Sequence, residues 1–452
     1  MQTHFTDSQR DEPGIRIAEE VLRKCVHCGF CTATCPTYRI TGDELESPRG
    51  RIALIQDLLE TGAAPTPLTV AHLDHCLSCL SCESTCPSGV SYRRLIDQAR
   101  ELIEKKYRRP RFDRGLRTLL AWLLPQQAWF RAALVAGRWG RPLLRFAGRF
   151  SLRINALARM VPGALPSART AIQPGTYPAE GTEIRRVALM TGCVQGVLAP
   201  DIDAATLRLL RRHGCTVVVP APAAGCCGAL PHHLGKGTPA QAMAHRNLDA
   251  WRELVRTDSP AAVDAVLMTA SGCGSHLKDY AHLLPDDGDA AELARRVKDL
   301  SQLLDELAAL TPLRVVSGIG AGVTLAWQSP CSLQHGFNEK SAPIRVLQAC
   351  GFEVRQPQNA HLCCGSAGTY NLLQPAFAER LGRDKADAIT ATGATIAVSA
   401  NIGCITQLQA KLAVAGGERP TPILHLAQIL DWATGGERPA ALGKHKVPGK
   451  HQ

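Results

Sequence analysis

A cysteine pattern that occurs twice constrains this chain more than any other feature. The first run has Cys25, Cys28, Cys31, Cys35 and Pro36, and the second repeats its spacing with Cys76, Cys79, Cys82, Cys86 and Pro87. Three thiolates at two-residue intervals can hold three corners of an iron–sulfur cubane, while the cysteine before proline points towards the partner cluster. The sequence therefore predicts two [4Fe-4S] clusters with crossed ligation.

Crossed ligation assigns four cysteines to each cluster. Cluster 1 takes Cys25, Cys28, Cys31 and Cys86, and cluster 2 takes Cys76, Cys79, Cys82 and Cys35. The alternative is a pair of zinc sites, but zinc uses two separated Cys-x-x-Cys pairs without a third cysteine or a closing Cys-Pro. Disulfides are disfavoured because clusters need reduced thiols and nothing else marks the chain as secreted.

The remaining composition indicates a metalloprotein of several domains. The chain has 452 residues and 18 cysteines, and this length suffices for two or three domains with a sizeable core. Its first residues contain no apolar signal sequence, and the longest uncharged apolar stretch, residues 118–130, is too short to cross a bilayer. We therefore expect a cytoplasmic protein, either soluble or peripheral on the cytoplasmic face of the inner membrane.

The positive net charge of +11 comes from one segment. Residues 105–169 contain fifteen Lys or Arg and a single acidic residue, Asp113. Within residues 109–163, arginines alternate with Leu, Trp and Phe, a pattern typical of helices that lie on anionic membrane surfaces. The alternative is a connector whose arginines are solvated or face an acidic partner subunit. The segment lacks a nucleic-acid-binding module, so we do not expect nucleic acid as a partner.

Helical patterns surround the two cysteine runs. We expect helices over residues 15–24 and 92–106, and a third helix that Ser47 caps, Pro48 begins and Gly62 ends. Residues 1–108 should thus form an all-α ferredoxin module with two clusters. Residues 109–180 should follow as a basic helical connector and a linker rich in Pro and Gly.

From residue 185, short apolar strands alternate with helices, which indicates α/β layers with mainly parallel sheets. Cysteines follow the predicted strands, and the same order then occurs a second time. Cys193 precedes Cys226 by 33 residues, and Cys331 precedes Cys363 by 32. An internal duplication explains this agreement. We expect duplicated domains at residues 185–310 and 311–435 and a flexible tail at 436–452, so the whole chain is α+β and multidomain.

The amino-acid sequence resembles that of known proteins over residues 12–433. The motifs that carry the resemblance are CGFCTATCPTY, GDELESPRGRI, CESTCPSGV, GCCGALPHHLG, SPCSLQHG, CCGSAGTYN and SANIGC. Together they resemble the iron–sulfur subunits of bacterial glycolate oxidase, also called glycolate dehydrogenase. The two halves after residue 185 resemble the cysteine-rich CCG domains of heterodisulfide reductase.

The resemblance implies an electron-carrying subunit of an oxidoreductase. In that family, flavoprotein partners oxidise glycolate to glyoxylate, with D-lactate as a further possible substrate, and the iron–sulfur subunit passes electrons to a quinone or another acceptor. The carbon substrate then binds another chain, so we expect no catalytic residue here. Gly318, Gly320 and Gly322 precede a strand instead of opening a helix, so we also expect no flavin or NAD site.

The residues by themselves are also compatible with two other functions. The same architecture serves glycerol-3-phosphate, D-lactate and heterodisulfide systems, which would change the substrate but not the carrier role. A zinc-stapled protein that binds nucleic acid through the basic segment is the remote alternative.

The duplicated halves depart from heterodisulfide reductase at one place each. There, each motif ends in Cys-x-x-Cys, and five cysteines hold a non-cubane cluster; here His276 and Gln407 replace the final cysteine. Four cysteines remain in each half as candidate ligands of a further cluster. They are Cys193, Cys226, Cys227 and Cys273, and Cys331, Cys363, Cys364 and Cys404. The alternative is structural or regulatory thiols.

Other residues near these motifs receive simpler interpretations. Cys215 and Cys350 are expected in the core. His232, His233 and His335 are candidates to tune or ligate a cluster, against the alternative of histidines satisfied by neighbouring groups. Arg49 and Arg51 are expected to be solvated charges with little influence on cluster potentials.

Overall fold

The computed structural model describes residues 1–220, 225–417 and 420–443. The predicted tail therefore lies outside the described residues from position 444 onwards. No helix in these described ranges is both long enough and apolar enough to cross a membrane.

Residues 1–108, all of which are described, form helices and turns without a strand. The α-helices are α1 (Asp7–Arg10), α2 (Pro13–Lys24), α3 (Pro36–Thr41), α4 (Pro48–Thr61), α5 (Pro67–Asp74), α6 (Ser81–Thr85) and α7 (Tyr92–Lys106), with short 3₁₀ helices at Phe30–Thr32 and Glu44–Glu46. The Ser47 hydroxyl accepts a hydrogen bond from the Gly50 amide at 2.9 Å, and α4 ends at Gly62 with φ of 62°. Both ends of α4 are as predicted, because local capping chemistry fixes them.

The basic segment folds into four helices that lie on the rest of the molecule. They are α8 (Arg111–Leu123), α9 (Gln127–Trp139), α10 (Arg141–Ala147) and α11 (Leu152–Met160). On the inner face, Leu116 and Leu120 pack with Leu234 and Leu372. The outer face leaves large apolar side chains in solvent. These are Phe112, Leu119, Trp122, Trp129, Val135, Trp139, Leu143, Phe146, Phe150 and Leu152.

Two sheets follow, and they share one topology. The first contains β1 (Gly175–Tyr177), β2 (Arg185–Met190), β3 (Cys215–Val219), β4 (Ala265–Met268) and β5 (Val297–Lys298) in the order β1-β3-β2-β4-β5. The second contains β6 (Thr324–Trp327), β7 (Glu353–Arg355), β8 (Ile396–Ser399) and β9 (Ile423–His425) in the order β7-β6-β8-β9. Every pairing is parallel except that of β1 with β3. The common order β3-β2-β4-β5 and β7-β6-β8-β9 agrees with an internal duplication.

Helices of each half pack against helices of the other half around a continuous apolar core. The first half has α12 (Gln195–Leu198), α13 (Pro200–Arg212), α14 (Ala229–His233), α15 (Gly237–Val255), α16 (Ser271–Leu277), α17 (Tyr280–Leu283), α18 (Gly288–Arg296) and α19 (Leu300–Leu310). The second has α20 (Ala342–Ala349), α21 (Tyr370–Leu373), α22 (Pro375–Thr390), α23 (Ile402–Ala415) and α24 (Leu426–Ala433), with a π-helix at Ser332–Gly336. The last helix of each half packs on the first long helix of the other: α24 on α13, and α19 on α20.

The loops at the carboxyl ends of the strands meet at the junction of the two halves. The Ser271 hydroxyl after β4 lies 2.8 Å from the Ser332 hydroxyl after β6. Asn401, which follows β8, donates from Nδ2 to the Ser271 hydroxyl at 3.2 Å. Since parallel sheets present their sites at these ends, the fold gathers the cysteine-bearing loops of both halves in one region.

Candidate metal centres

Two neighbouring cavities in the N-terminal module are lined by the cysteines of the repeated runs. The first has about 430 Å³ of empty space, part of it open solvent, and its wall includes Cys25, Cys28, Cys31 and Cys86. The second has about 340 Å³, also partly open, and its wall includes Cys35, Cys76, Cys79 and Cys82. Pro48, Cys82 and Tyr92 line both cavities. The first cavity thus includes Cys82 and Cys86 from the second run, and the second includes Cys35 from the first. The structure brings together each set of four cysteines that the sequence pattern grouped, and Cys82 adjoins both cavities.

The two cysteine loops have left-handed residues at the same two positions. His27 and Ser78 stand two residues after the first cysteine of their runs and have positive φ values of 54° and 50°. Gly29 and Leu80 stand four residues after it, with φ values of 84° and 63°. Non-glycine residues rarely adopt this left-handed conformation, and they do so at binding sites that hold the backbone in place. The repeated pair of left-handed residues curves each loop around its cavity.

The two cavities differ in exposure. Cys28 of the first is exposed, and beside it Val26 and Phe30 leave 68% and 64% of their surface in solvent. Burial, together with the charge of Cys25, raises the pKa of Cys31 to about 11. The second cavity lies further inside, where burial also raises the pKa of Cys79 and of Cys82 well above the usual value. These thiols are protonated at neutral pH until a metal displaces the proton.

Arg51 is buried beside the second cavity, which corrects the expectation of a solvated charge. Only 1% of its surface is exposed, and its Nη1 donates to the Cys35 sulfur at 3.8 Å. Its Nη2 donates to Glu46 Oε2 at 2.6 Å. Glu46 Oε1 in turn accepts from His72 Nδ1 at 2.7 Å and His75 Nδ1 at 2.6 Å. The sequence did not indicate this buried ion pair. A positive charge so close to a buried thiolate acts on it strongly.

Arg49 matches the earlier expectation better. Its side chain is 35% exposed and pairs with Glu44, its Nε lying 2.6 Å from Glu44 Oε1. Tyr92 adds a neutral contact to the second cavity, because its hydroxyl donates to the Cys76 sulfur at 3.7 Å.

The four cysteines of the first half form a tight set around Cys226. The Cys193 sulfur lies 3.6 Å from the Cys226 sulfur. Hydrogen bonds from Cys193 and Cys227 lower the pKa of Cys226 well below its usual value. Cys227 also forms a hydrogen bond with Cys273, so hydrogen bonds between thiols connect all four residues.

The second half builds a matching set. The Cys364 sulfur lies 3.2 Å from the Cys404 sulfur, and the Cys331 sulfur lies 3.9 Å from the Cys363 sulfur. Hydrogen bonds from Cys363 and Cys404 lower the pKa of Cys364. Thiolates that share one tetrahedral metal ion are about 3.8 Å apart, given metal–sulfur bonds of about 2.3 Å. Both sets therefore suit thiolates that share a metal atom more closely than thiolates on separate corners of a cubane.

Among the described residues, the second set packs directly against a cysteine of a ferredoxin cavity. Cys79 and Cys331 pack in one apolar cluster with Leu77, Cys363 and Tyr370. The charge of Cys331 adds to the rise of the Cys79 pKa that burial causes. The Tyr370 hydroxyl also donates to the His75 carbonyl at 3.0 Å. The cysteines of the second half and those of cavity 2 thus form one contiguous region.

Several candidates from the sequence have other partners. His335 uses both ring nitrogens, with Nδ1 2.7 Å from the Ser84 hydroxyl and Nε2 3.2 Å from the His361 carbonyl. Gln407, at the position of the missing cysteine, donates from Nε2 to the Ala378 carbonyl at 3.0 Å. Cys215 and Cys350 are in the core, where burial raises the pKa of each to about 12.

His276, the other residue at a missing-cysteine position, lies beside two further histidines. Its ring centroid is 5.2 Å from that of His232 and 6.2 Å from that of His233. Burial lowers the pKa of His276 to about 3, and His232 and His233 add to the shift. Asp97 of α7 completes this group, which sequence reasoning missed because its members are far apart in the chain.

Comparison with known proteins finds family matches around both groups of cysteines. Residues 21–90 match the model of the 4Fe-4S dicluster domain, and residues 187–278 and 325–409 each match the model of the cysteine-rich domain CCG. The glycolate oxidase iron–sulfur subunit of Escherichia coli (strain K12) is 41% identical over 433 residues, which cover 96% of this chain and 99% of that protein. The chain belongs to this family.

Other members and relatives extend the comparison. A probable glycolate oxidase iron–sulfur subunit of Bacillus subtilis (strain 168) is 33% identical and covers 93% of this chain and 96% of its own length. Lactate utilization protein A of Shouchella clausii is 26% identical over 250 residues, which cover 54% of this chain and 98% of that protein. The family thus overlaps in part with a shorter protein named for lactate.

A solved structure shares the fold at much lower identity. It is a hypothetical protein from Helicobacter pylori, with a TM-score of 0.52 and 11% sequence identity, covering 99% of this chain and 77% of that one. At this identity the likeness shows the fold alone.

Proposed function

We propose that this chain is the electron-transferring iron–sulfur subunit of an oxidoreductase complex that oxidises glycolate to glyoxylate. Two adjacent thiol-lined cavities that share a wall carry the proposal, since they suit two clusters close enough to exchange electrons. The names of its full-length relatives supply the substrate, and the shorter lactate utilization relatives make D-lactate the second candidate. The carbon substrate binds a flavoprotein partner, and a quinone or another acceptor takes the electrons.

We propose the following ligands, which the walls of the cavities support. Cys25, Cys28, Cys31 and Cys86 hold cluster 1, and Cys35, Cys76, Cys79 and Cys82 hold cluster 2. When bound, the clusters supply one-electron redox chemistry. The chain itself fixes the loops through left-handed residues and surrounds the inner cavity with Arg51 and Tyr92.

The flavoprotein docks at cavity 1 in this proposal. Its rim exposes Val26, Phe30 and Cys28, whereas Leu77 and Cys79 in the wall of cavity 2 pack against the second half of the chain. Exposed apolar side chains around a redox centre suit a protein partner that must approach it closely. Electrons then move from cavity 1 to cavity 2.

The second cysteine set is the next redox centre in this proposal. Cys331, Cys363, Cys364 and Cys404 combine short sulfur–sulfur distances with contact to Cys79, and the first set lacks that contact among the described packing clusters. We propose that these four thiolates bind further iron and exchange electrons with cluster 2. The first set also has four thiols, but it is followed in the fold by the histidines of α14 and α16.

The basic helices provide a contact surface for an anionic membrane. Trp139, Phe146 and Phe150 are exposed on α9 and α10 or just after them, and Arg138, Arg145 and Arg149 are exposed between them. Aromatic and apolar side chains can enter the lipid interface while neighbouring arginines bind its phosphates. We propose that this aromatic–basic surface holds the subunit at the membrane, near a quinone.

Metal analysis tests the electron-carrier function first. Anaerobically purified protein should contain acid-labile sulfide and clearly more than the about eight irons that two four-iron clusters require. Its reduced form should give a spin-coupled EPR spectrum. About eight irons would leave the ferredoxin sites intact and contradict the iron in the second set. Zinc without labile sulfide would overturn the electron-carrier function altogether.

Vesicle sedimentation tests the membrane contact. The protein should bind vesicles that contain phosphatidylglycerol and bind neutral phosphatidylcholine vesicles much less. Replacing Trp139 and Phe150 by Glu should abolish that binding without lowering the iron content. Equal binding to both kinds of vesicle, or full binding by the variant, would contradict the surface.

A further inference from the structure

Four metal-binding side chains converge where the ferredoxin module meets the first cysteine-rich half. Asp97 is on α7, His232 and His233 end α14, and His276 is on α16. The potential ligand atoms of Asp97, His232 and His233 all lie within 4.8 Å of one another. His276 adjoins this set through its ring, whose centroid is 5.2 Å from that of His232 and 6.2 Å from that of His233. No cysteine is needed to complete this group, so it is distinct from the thiol sets.

The distances within the group are too long for hydrogen bonds but suit ligands of one ion. His232 Nδ1 lies 3.9 Å from Asp97 Oδ2, and His233 Nδ1 lies 3.8 Å from Asp97 Oδ1. Hydrogen bonds between such groups have heavy atoms about 2.7–3.2 Å apart. Ligands of a tetrahedral zinc ion, at bond lengths of about 2.0–2.1 Å, are about 3.3 Å apart. A shift of about half an ångström would bring these atoms to that spacing.

The same atoms have no hydrogen-bond partner in the described structure. Asp97 Oδ1, His232 Nδ1 and His276 Nε2 are all buried and unpaired among the described residues. His276 is 5% exposed. A buried polar atom without a partner costs about 1–3 kcal/mol, so three of them at one place call for an explanation. One ion held by Asp97 and His232 would satisfy two of them directly, and the ring of His276 lies beside that of His232.

A second group in the chain shows what satisfied residues of the same types look like. Glu46, His72 and His75 also lie together beside α4 and α5. There the carboxylate bonds both rings at 2.7 Å and 2.6 Å, and Arg51 neutralises it. Among the residues described, no guanidinium forms an ion pair with Asp97, although the charge of Arg100 lowers its pKa, and its contacts with His232 and His233 are 3.9 and 3.8 Å long. The Glu46 group is therefore a complete hydrogen-bond network, whereas the Asp97 group leaves ligand atoms without hydrogen-bond partners among the described residues.

We propose that Asp97, His232, His233 and His276 form a Zn²⁺ site that joins the ferredoxin module to the first cysteine-rich half. Three imidazoles and one carboxylate suit zinc, since Mg²⁺ and Ca²⁺ prefer oxygen ligands throughout. The ligands come from both parts of the molecule, so the ion fixes α7 against α14 and α16. It supplements the ion pair between Arg94 of α7 and Asp279, whose Nη1 and Oδ2 are 2.7 Å apart. His233, about half-exposed, leaves the site open to metal from solution.

Zinc analysis of the full protein tests the site. Protein purified anaerobically without a polyhistidine tag is treated with EDTA, incubated with Zn²⁺ and desalted. Mass spectrometry should then find about one zinc per chain beside the cluster iron. Absorption at the zinc edge should show nitrogen and oxygen neighbours at about 2.0–2.1 Å and no sulfur shell at about 2.3 Å. Added zinc should also raise the thermal midpoint of the EDTA-treated protein.

Variants distinguish this site from the thiol sets. Asp97→Asn and His276→Ala should each lower zinc at least tenfold, leave iron and sulfide unchanged and lose the thermal response. His282→Ala is the matched control, since His282 is an exposed histidine of neighbouring α17 outside the group, and it should keep its zinc. If either buried substitution lowers iron, the partly exposed His233→Ala decides the question. Absence of zinc in the wild type, a sulfur shell, or zinc retained by His233→Ala would overturn the proposal.

Discussion

The ferredoxin cysteines and the CCG cysteines present four thiols in two different ways. In the ferredoxin module they line two cavities that are partly open to solvent. In the duplicated halves the sulfurs touch, with separations of 3.2–3.9 Å. The first arrangement depends on a short loop that curves around its cavity, and the second on loops that parallel strands bring to one edge. The comparison shows that the same ligand chemistry can follow from local backbone or from sheet topology.

Removing one thiol from each cavity should have the largest effect. Cys28→Ser and Cys79→Ser should each lose about four irons, because the cubane loses a corner ligand. Turnover with the natural acceptor should then fall to background, while the flavoprotein still reduces an artificial dye. Cys215→Ala, in the core of the first sheet, is the control and should retain its iron. Normal iron and turnover in either serine variant would contradict the ligand assignment.

The two CCG sets should respond differently to the same substitution. Cys404→Ser should lower the iron content and slow electron transfer to the acceptor at least tenfold, because the second set contacts Cys79. Cys273→Ser in the first set should leave the transfer rate within about twofold. Iron analysis and stopped-flow reduction measure both. Equal loss in the two variants would show that position beside cavity 2 does not distinguish the halves.

The buried ion pair beside cavity 2 should set the potential of that cluster. Arg51→Gln should lower its midpoint by tens of millivolts, because a nearby positive charge favours the more negative reduced state. Glu46→Gln should raise it, and the double variant should return close to the wild type. Arg49→Gln, on a partly exposed pair, is the control and should shift the potential of cluster 1 much less. EPR-monitored redox titration measures these values, and equal shifts from Arg49 and Arg51 would contradict the role of burial.

A smaller effect concerns pH and a carboxyl group of the first half. Burial raises the pKa of Asp203 from 3.8 to about 7, although hydrogen bonds from Thr269 and Gln195 oppose the rise. The folded state therefore holds the proton more tightly than the unfolded state, and this contribution to stability is lost as the pH rises from about 4 through 7. The slope is at most about 1.4 kcal/mol per pH unit. Asp203→Asn should thus become increasingly stable relative to the wild type from pH 5.5 to 8 in thermal melts, and a constant difference would contradict the shift.

Local sequence rules predicted many of the elements. The cap of α4 at Ser47 and the bounds of α7 agree with the structure. β5 and β9 have only two and three residues, too few to show a readable periodicity, and β1 lies in the segment predicted as linker. Their formation depends on pairing with a neighbouring strand rather than on their own composition.

The candidate sites divide in the same way. The eight ferredoxin cysteines could be grouped from spacing, since each run carries its own loop. The burial of Arg51 could not be predicted, because a charged residue in an amphipathic helix gives no sign of the carboxylate that neutralises it. The group of Asp97 and three histidines was also missed, because α7, α14 and α16 meet only in the folded protein.

The amino-acid sequence by itself determined the two cysteine loops, the duplication and the family. These features follow from residue spacings and short motifs, which can be recognised without any long-range contact. Tertiary structure decided which thiol set adjoins cavity 2, where the charge of Arg51 is buried, and which histidines meet Asp97. Those outcomes depend on how the helical module packs against two similar halves. Since the halves share one topology, packing makes their cysteine sets unequal.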